Sequence, residues 1–357
     1  MRVLLVGEFS GVHTNLKVGL EDLGVQVTLA NTGDGFKDFS TDMLMRIDGD
    51  SWKTRLQNDL LEIYNLYYMK KFDVIQIMHP NAFDHYDHSK VYKMLDNAGL
   101  VVQLIGGCDY AFNRYYRFLD ERLCQECRMY DYRGRQCHYR QPDVVGYEKE
   151  IYKRADVIVP LSWEYHYIYK QYEKEYADKL HSVVPMPIDL KKNRMCPHQN
   201  EKIHVFHPLN REGFKGTRVF RMLFQELQRE YNEIAEFSIE GKMPIAQYRK
   251  YLSHVDIVVD QLYCNTYGMN ALYSMAMGKV VFSGNSTPRM FDDVEWLQDM
   301  PVLSLGYSEE EMKENIMRVV KSDKLRDIKN ASRKYVETYH DTRKVARLFL
   351  KLYKQYL

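Results

Sequence analysis

The chain has 357 residues, 45% of them hydrophobic, with 50 Lys+Arg against 49 Asp+Glu. That length exceeds what one hydrophobic core usually serves, so two domains are expected. The balanced charge gives no basis for nucleic-acid binding. No apolar run reaches the roughly 18 residues of a membrane-spanning helix, and the first residues end in Gly7, Glu8 and Ser10 as a strand would, not as a signal peptide. A cytoplasmic protein with its six cysteines reduced is the expectation.

In chain order, Arg2–Gly7 reads as a buried strand, Asn15–Leu23 as a helix stopped by Gly24, and Val25–Ala30 as a second strand. This is the opening of a doubly wound domain. Its first loop carries Ser10, Gly11 and His13 but no GxGxxG, so a dinucleotide is not indicated. Residues 31–51 read as a loop. Trp52–Lys71 reads as a helix with apolar residues at Leu56, Leu60, Ile63, Leu66 and Tyr67. Phe72–Met78 is a strand ended by His79-Pro80-Asn81, Ser89–Asn97 is a helix, and Leu100–Ile105 is a strand closed by Gly106-Gly107-Cys108-Asp109.

Residues 111–146 lack apolar periodicity and read as an insertion in the first domain. Cys124, Cys127, Cys137 and His138 fall within it. Their spacing leaves two readings open: a structural zinc site, or a set of reduced thiols. After it come a helix at Val145–Arg154, a strand at Val157–Leu161, a helix at Trp163–Glu173 and a strand at His181–Val184. The polar stretch Lys191–Glu201 reads as the domain boundary, giving domains of 1–190 and 191–340 with a last helix from 341 to 357.

The second half repeats the alternation. Ile203–His207 is a strand and Thr217–Tyr231 a helix. Ala235–Glu240 is a strand, ending in Glu240 and Gly241, and Pro244–Leu252 is a helix. Asp256–Leu262 is a strand, Tyr263–Gly268 a loop, Met269–Met277 a helix and Val280–Ser283 a strand. Helices follow at Met290–Leu297, Glu309–Lys321, Asp323–Tyr339 and Thr342–Leu357. Between strand and helix, His207–Thr217 sets Arg211 and Lys215 four residues apart beside Gly213 and Gly216. Two cations with open backbone N–H groups suit a diphosphate.

These stretches resemble a large family of glycosyltransferases. Arg211 with Lys215-Gly216 is similar to the diphosphate-binding Arg and Lys-Gly of the retaining family 4 enzymes of GT-B fold. Asp256–Gly284 resembles their donor-binding core through Tyr267-Gly268 and Ser274–Val281. The last helix, Thr342–Leu357, resembles their crossing tail, so the likeness spans nearly the whole chain.

The resemblance implies an α/β protein of GT-B fold, with two Rossmann-like domains facing a central cleft. It implies a hexosyltransferase-type, retaining enzyme. That enzyme would move sugar from a UDP-, GDP- or ADP-type donor to a saccharide or lipid-linked acceptor in polysaccharide or glycoconjugate synthesis. No cofactor is required for catalysis, and peripheral contact with the inner membrane face is part of the picture.

By the same resemblance, His79 and Asn265 would be catalytic, and Arg211, Lys215 and Gly216 would bind the diphosphate. Glu240, Tyr267, Gly268, Met269 and Tyr273 would hold the sugar and nucleotide, and Ser10, Gly11, His13 and Asp109 would face the acceptor. One departure stands out: Asn265 and Tyr273 occupy the places of two family glutamates. Neither is a carboxylate, which keeps a non-catalytic scaffold or regulatory partner as an alternative. A nucleotide-sugar isomerase of the same fold is a third.

Overall fold

The computed structural model describes residues 1–196 and 201–357. The expected boundary stretch Lys191–Glu201 lies partly on 197–200, outside the described residues. The chain divides into two compact units. Unit 1 comprises Met1–Tyr115, His138–Pro187 and Thr342–Leu357; unit 2 comprises Tyr116–Cys137 and Ile188–Asp341. The cysteine-bearing segment therefore groups with unit 2, which corrects the expectation of an insertion in the first domain.

Unit 1 is built on a six-stranded sheet with every pair parallel, in the order β3-β2-β1-β4-β5-β6. The strands are β1 Arg2–Val6, β2 Gln26–Asn31, β3 Met43–Leu44, β4 Val74–Ile77, β5 Leu100–Ile105 and β6 Val157–Pro160. β4, β5 and β6 are buried along their whole length, as a parallel sheet covered on both faces requires. Short polar side chains start the helices. Ser51 accepts from Thr54 N (3.1 Å) at the head of Trp52–Met69, and Asp87 accepts from Ser89 N (2.9 Å) at His88–Leu95. β3 was not expected inside 31–51. The expected strand His181–Val184 does not form a full ladder; it runs beside β6 through a bridge at Leu180 and bonds from His181 N to Ile158 O (2.8 Å) and Val184 N to Pro160 O (3.0 Å).

The last helix, Thr342–Tyr356, buries Val345, Ala346, Phe349, Leu352 and Tyr353 at helical spacing against Val12–Glu21. The two backbones touch at Gly19, where a Cβ would lie 2.2 Å from Thr342 O, so only glycine fits.

Unit 2 holds a parallel four-stranded sheet in the order β10-β9-β7-β8: β7 Ile203–Leu209, β8 Ala235–Gly241, β9 Ile257–Val259 and β10 Val280–Phe282. The helix Thr217–Tyr231 turns Phe220, Leu223, Phe224 and Leu227 onto this sheet. Each such burial contributes roughly 1.5–3 kcal/mol. β9 is shorter than the apolar run suggested, flanked by buried Asp256 and Asp260. Among the described residues no helix is long and apolar enough to cross a membrane.

Candidate functional site

In an open parallel sheet a ligand crevice forms at the carboxyl ends of strands where the strand order reverses. Each unit has one such place. In unit 1 it lies between β1 and β4; in unit 2, between β7 and β9.

At the unit 1 switch point the protein satisfies most of its own polar groups, one Glu148 oxygen excepted. His13 is fully buried on the helix Val12–Glu21. Its Nδ1 bonds Gly7 O (2.7 Å) and its Nε2 faces Gln76 Nε2 (3.1 Å), whose carbonyl in turn accepts from Tyr353 OH (2.7 Å). This fixes the neutral Nδ1–H tautomer, and burial pulls the ring pKa down to about 4. His79 follows β4. Its Nε2 donates to Cys108 O (2.9 Å) and its Nδ1 accepts from Asn81 N (3.1 Å), and burial again lowers its pKa to about 4. Asp109 is fully buried, accepting from Phe112 N (2.7 Å), Tyr152 OH (2.7 Å) and Tyr169 OH (2.8 Å).

His79, expected to be catalytic, and His13 and Asp109, expected to face the acceptor, are all buried, with their polar atoms engaged inside unit 1. Ser10 and Gly11 lie in the β1 loop as expected, Ser10 donating its N–H to Asp34 (2.7 Å) and taking Lys37 Nζ on its hydroxyl (2.9 Å). Gly11 caps the helix in a left-handed conformation, φ 91°.

Two carboxylates here were not foreseen. Glu8 accepts from Gly11 N, Thr14 N and Thr14 Oγ1, and burial raises its pKa to about 7. Glu148 accepts from Tyr110 N (2.7 Å) through one oxygen. Its other oxygen has no hydrogen-bond partner among the described residues and stands 3.8 Å from His79 Nε2. Burial, then the neighbouring Asp109, hold its pKa well above the ordinary carboxylate range.

In unit 2 the loops after β7 and β9 are tied together. Lys215 Nζ donates to Asp260 Oδ1 (2.6 Å), an oxygen shared with Asn270 Nδ2 (2.6 Å), and Leu262 N donates to Lys215 O (3.2 Å). Gly216 turns the chain at φ 76°, with Leu262 so close that a Cβ would approach it to 2.8 Å. Arg211 lies 4.2 Å above the Phe214 ring, its Nη2 donates to Cys127 Sγ (3.2 Å), and its Nε is 4.0 Å from Asp131 Oδ2. The Asp131 carboxylate accepts from Gly213 N (3.0 Å) and Phe214 N (2.9 Å). The expected diphosphate residues are thus gathered in one place, where two carboxylates of the protein already balance them. No local signal pointed to Asp131, 82 residues away in sequence from Gly213.

Beside these loops, at the carboxyl ends of β9 and β10, lies a cavity of about 310 Å³. Gln261–Asn265 form one wall, Ser283–Ser286 a second and Ser304–Tyr307 a third, with Asp120 and Arg122 at the mouth. The volume is within the range of small-ligand sites. Asn265 Nδ2 donates to Tyr116 OH (3.3 Å). Ser283 is a lining residue, but its Oγ is shielded from solvent and has no hydrogen-bond partner among the described residues. The helix Glu309–Val320 starts there, with Ser308 and Glu311 in a reciprocal capping box.

The remaining expected donor residues do not converge on this cavity. Tyr267 is buried, its hydroxyl bonded to Tyr335 OH (2.5 Å) and His340 Nε2 (3.0 Å). Met269 and Tyr273 are buried within the helix Met269–Ala276, which Gly268 opens, and Arg249 lies over the Tyr273 ring at 5.7 Å. Glu240 is exposed on edge strand β8, with β7 between it and β9.

Among the described residues no three His, Cys, Asp or Glu side chains gather as a metal-holding group. The expected zinc set of Cys124, Cys127, Cys137 and His138 is not drawn together as such a group. Cys124 and Cys127 lie on consecutive helical turns, Cys127 is engaged by Arg211, and Cys137 is bonded to Tyr132.

The chain has the GT-B fold, two Rossmann-like units with parallel sheets. It is similar to sucrose-phosphate synthase from Thermosynechococcus elongatus, at 12% identity and TM-score 0.63 over 99% of this chain and 98% of that one. It is similar to Anabaena HepE in complex with UDP, at 11% identity and TM-score 0.62 over 99% and 100% of the two chains. It is also similar to UDP-GlcNAc 2-epimerase from Methanocaldococcus jannaschii, at 10% identity and TM-score 0.54 over 99% of each chain. No protein-family model matches the chain, and no curated protein matches it.

Proposed function

We propose that the protein is a glycosyltransferase that takes sugar from a nucleotide-diphosphate sugar held by unit 2. The observation that carries this is the cavity at the carboxyl ends of β9 and β10, walled by Gln261–Asn265 and Ser283–Ser286 next to the loop of Arg211, Lys215 and Gly216. A UDP-type donor is favoured because a protein of the same fold, Anabaena HepE, has been crystallised with UDP. Asn265 would hold hydroxyls of the transferred sugar through its amide. Arg211 would neutralise the departing diphosphate, and the N–H groups of Gly213 and Phe214 would bind it once Asp131 withdraws, an electrostatic role that needs no metal. The acceptor would be a saccharide or lipid-linked saccharide.

A second reading, a non-catalytic scaffold, is favoured by one specific observation: Asp131 and Asp260 already compensate the loop that would take the diphosphate. Calorimetric titration with UDP, GDP and ADP, followed by nucleotide release from a panel of nucleotide-sugars, separates the two. Nucleotide binding with release from at least one donor supports the transferase. Binding without release under any donor and acceptor supports the scaffold. Absence of binding to all three at millimolar concentration removes the transferase.

A further inference from the structure

The helix Trp52–Met69 faces the opposite way from an ordinary surface helix. Its apolar residues Trp52, Leu56, Leu60, Ile63, Tyr64 and Tyr67 are each more than half exposed, Trp52 at 71% and Tyr67 at 65%. At 100° per residue the six fall in one sector about 120° wide. The buried side holds Glu62, Asn65, Leu66 and Met69. Specific bonds fix this orientation: Asn65 Nδ2 donates to Leu44 O (2.9 Å) and Tyr86 OH (2.7 Å), and Asn58 Nδ2 donates to Ile47 O (3.0 Å). Rotation of the helix to hide the stripe would break all three.

The charges around the stripe have a definite arrangement. Lys53 lies over the Trp52 ring at one end, and Lys71 over Tyr67 and Tyr68 at the other, 5.4 and 5.1 Å from the ring centres, with Lys70 alongside. No carboxylate interrupts the sector. Asp59 lies outside it, Glu62 is turned inward and paired with Lys90 (2.9 Å), and Asp48 and Asp50 precede the helix. Trp and Tyr at the ends, aliphatic residues between them and lysines on the aromatic rims are what the boundary of a lipid bilayer accommodates. A second copy of the chain fits less well. A stable homodimer uses about 20–30 residues on each side, far more than this stripe of six offers.

We infer that the helix Trp52–Met69 docks the protein on an anionic phospholipid surface, with the stripe entering the headgroup region and Lys53, Lys70 and Lys71 meeting the lipid phosphates. The inference is independent of the proposed catalytic activity. The test is co-sedimentation of the full chain with vesicles of phosphatidylcholine alone, or of phosphatidylcholine with phosphatidylglycerol, alongside tryptophan fluorescence.

Binding to the phosphatidylglycerol vesicles should be about tenfold or more stronger than to phosphatidylcholine alone. It should bring a blue shift that Trp52→Phe abolishes. Leu60→Glu with Ile63→Glu should remove binding, and Lys53→Glu with Lys71→Glu should reduce it to the phosphatidylcholine level. All of these positions are exposed, and the thermal unfolding midpoint should stay unchanged. Three results would overturn the inference: no binding by the native chain, binding indifferent to the two Glu substitutions, or a native dimer that those substitutions convert to monomer.

Discussion

The strand ends of the two units differ in what fills them. At the β1/β4 end of unit 1, His13, His79 and Asp109 have every polar atom engaged by Gly7, Gln76, Cys108, Asn81, Phe112, Tyr152 or Tyr169. At the β9/β10 end of unit 2, next to its β7/β9 switch point, a cavity remains. A titratable side chain at a strand end thus says little by itself. A group already satisfied within the fold gains less from a ligand than one that is not, and in unit 1 the second oxygen of Glu148 is the exception.

The comparison can be broken most forcefully at Asp109. Asp109→Ala strips an acceptor from two buried tyrosines and a backbone N–H, and should destabilise the fold by about 3–5 kcal/mol, seen as a large fall in the urea midpoint. Its effect on UDP affinity should be nil at temperatures where the variant is folded. A loss of affinity without a loss of stability would restore Asp109 as a ligand contact.

A smaller effect is expected in the opposite sense at Asp131. Asp131→Asn removes the negative charge from the Gly213 and Phe214 N–H groups and from beside Arg211. It should tighten UDP binding about tenfold, or about 1.4 kcal/mol, by calorimetry. Weaker binding in that variant would mean that the carboxylate organises the loop rather than competing for it.

The pH dependence sharpens the picture of unit 1. Glu148 has its folded pKa raised, so its contribution to stability is complete below the ordinary glutamate value and is lost as pH rises through the folded value. His13 and His79 have theirs depressed to about 4, so their contribution is complete above the ordinary histidine range and is lost as pH falls toward 4. Glu148→Gln should flatten the alkaline side of a stability–pH curve from denaturant unfolding and leave the acid side intact. Equal flattening of both sides would count against this assignment. The smallest effect is expected at exposed Glu240, where Glu240→Ala should change stability by less than about 0.5 kcal/mol and UDP affinity not at all.

Much of the fold was legible in the chain. Apolar runs such as Val3–Val6, Ile75–Ile77 and Val280–Phe282 read as buried strands because both faces of a parallel sheet are covered, and Gly24 and Gly278 marked helix ends. The gathering of Arg211, Lys215 and Gly216 in one loop was legible too, since the three are adjacent. Their neutralisation was not. Asp131 and Asp260 reach them from 82 and 45 residues away in sequence, and no local pattern encodes a contact of that range. The same limit hid the partners of His13, Asp109 and Glu148. The orientation of the helix Trp52–Met69 was not legible for another reason: periodicity shows that one face is apolar, not which way that face turns. Hydrogen bonds from Asn58 and Asn65 decided that.

The seating of Thr342–Tyr356 on the helix Val12–Glu21 has a consequence for the order in which the molecule can be made. Unit 1 is assembled from three separated stretches of chain, the last of which leaves the ribosome after all of unit 2. Until then the groove around Leu16, Gly19 and Leu20 and the carbonyl of Gln76 lack their covering helix. Unit 2 has no such wait, since its last stretch ends at Asp341. The half that carries the cavity can therefore mature first, and the N-terminal half is committed last, inverting the usual order in which N-terminal domains fold during synthesis.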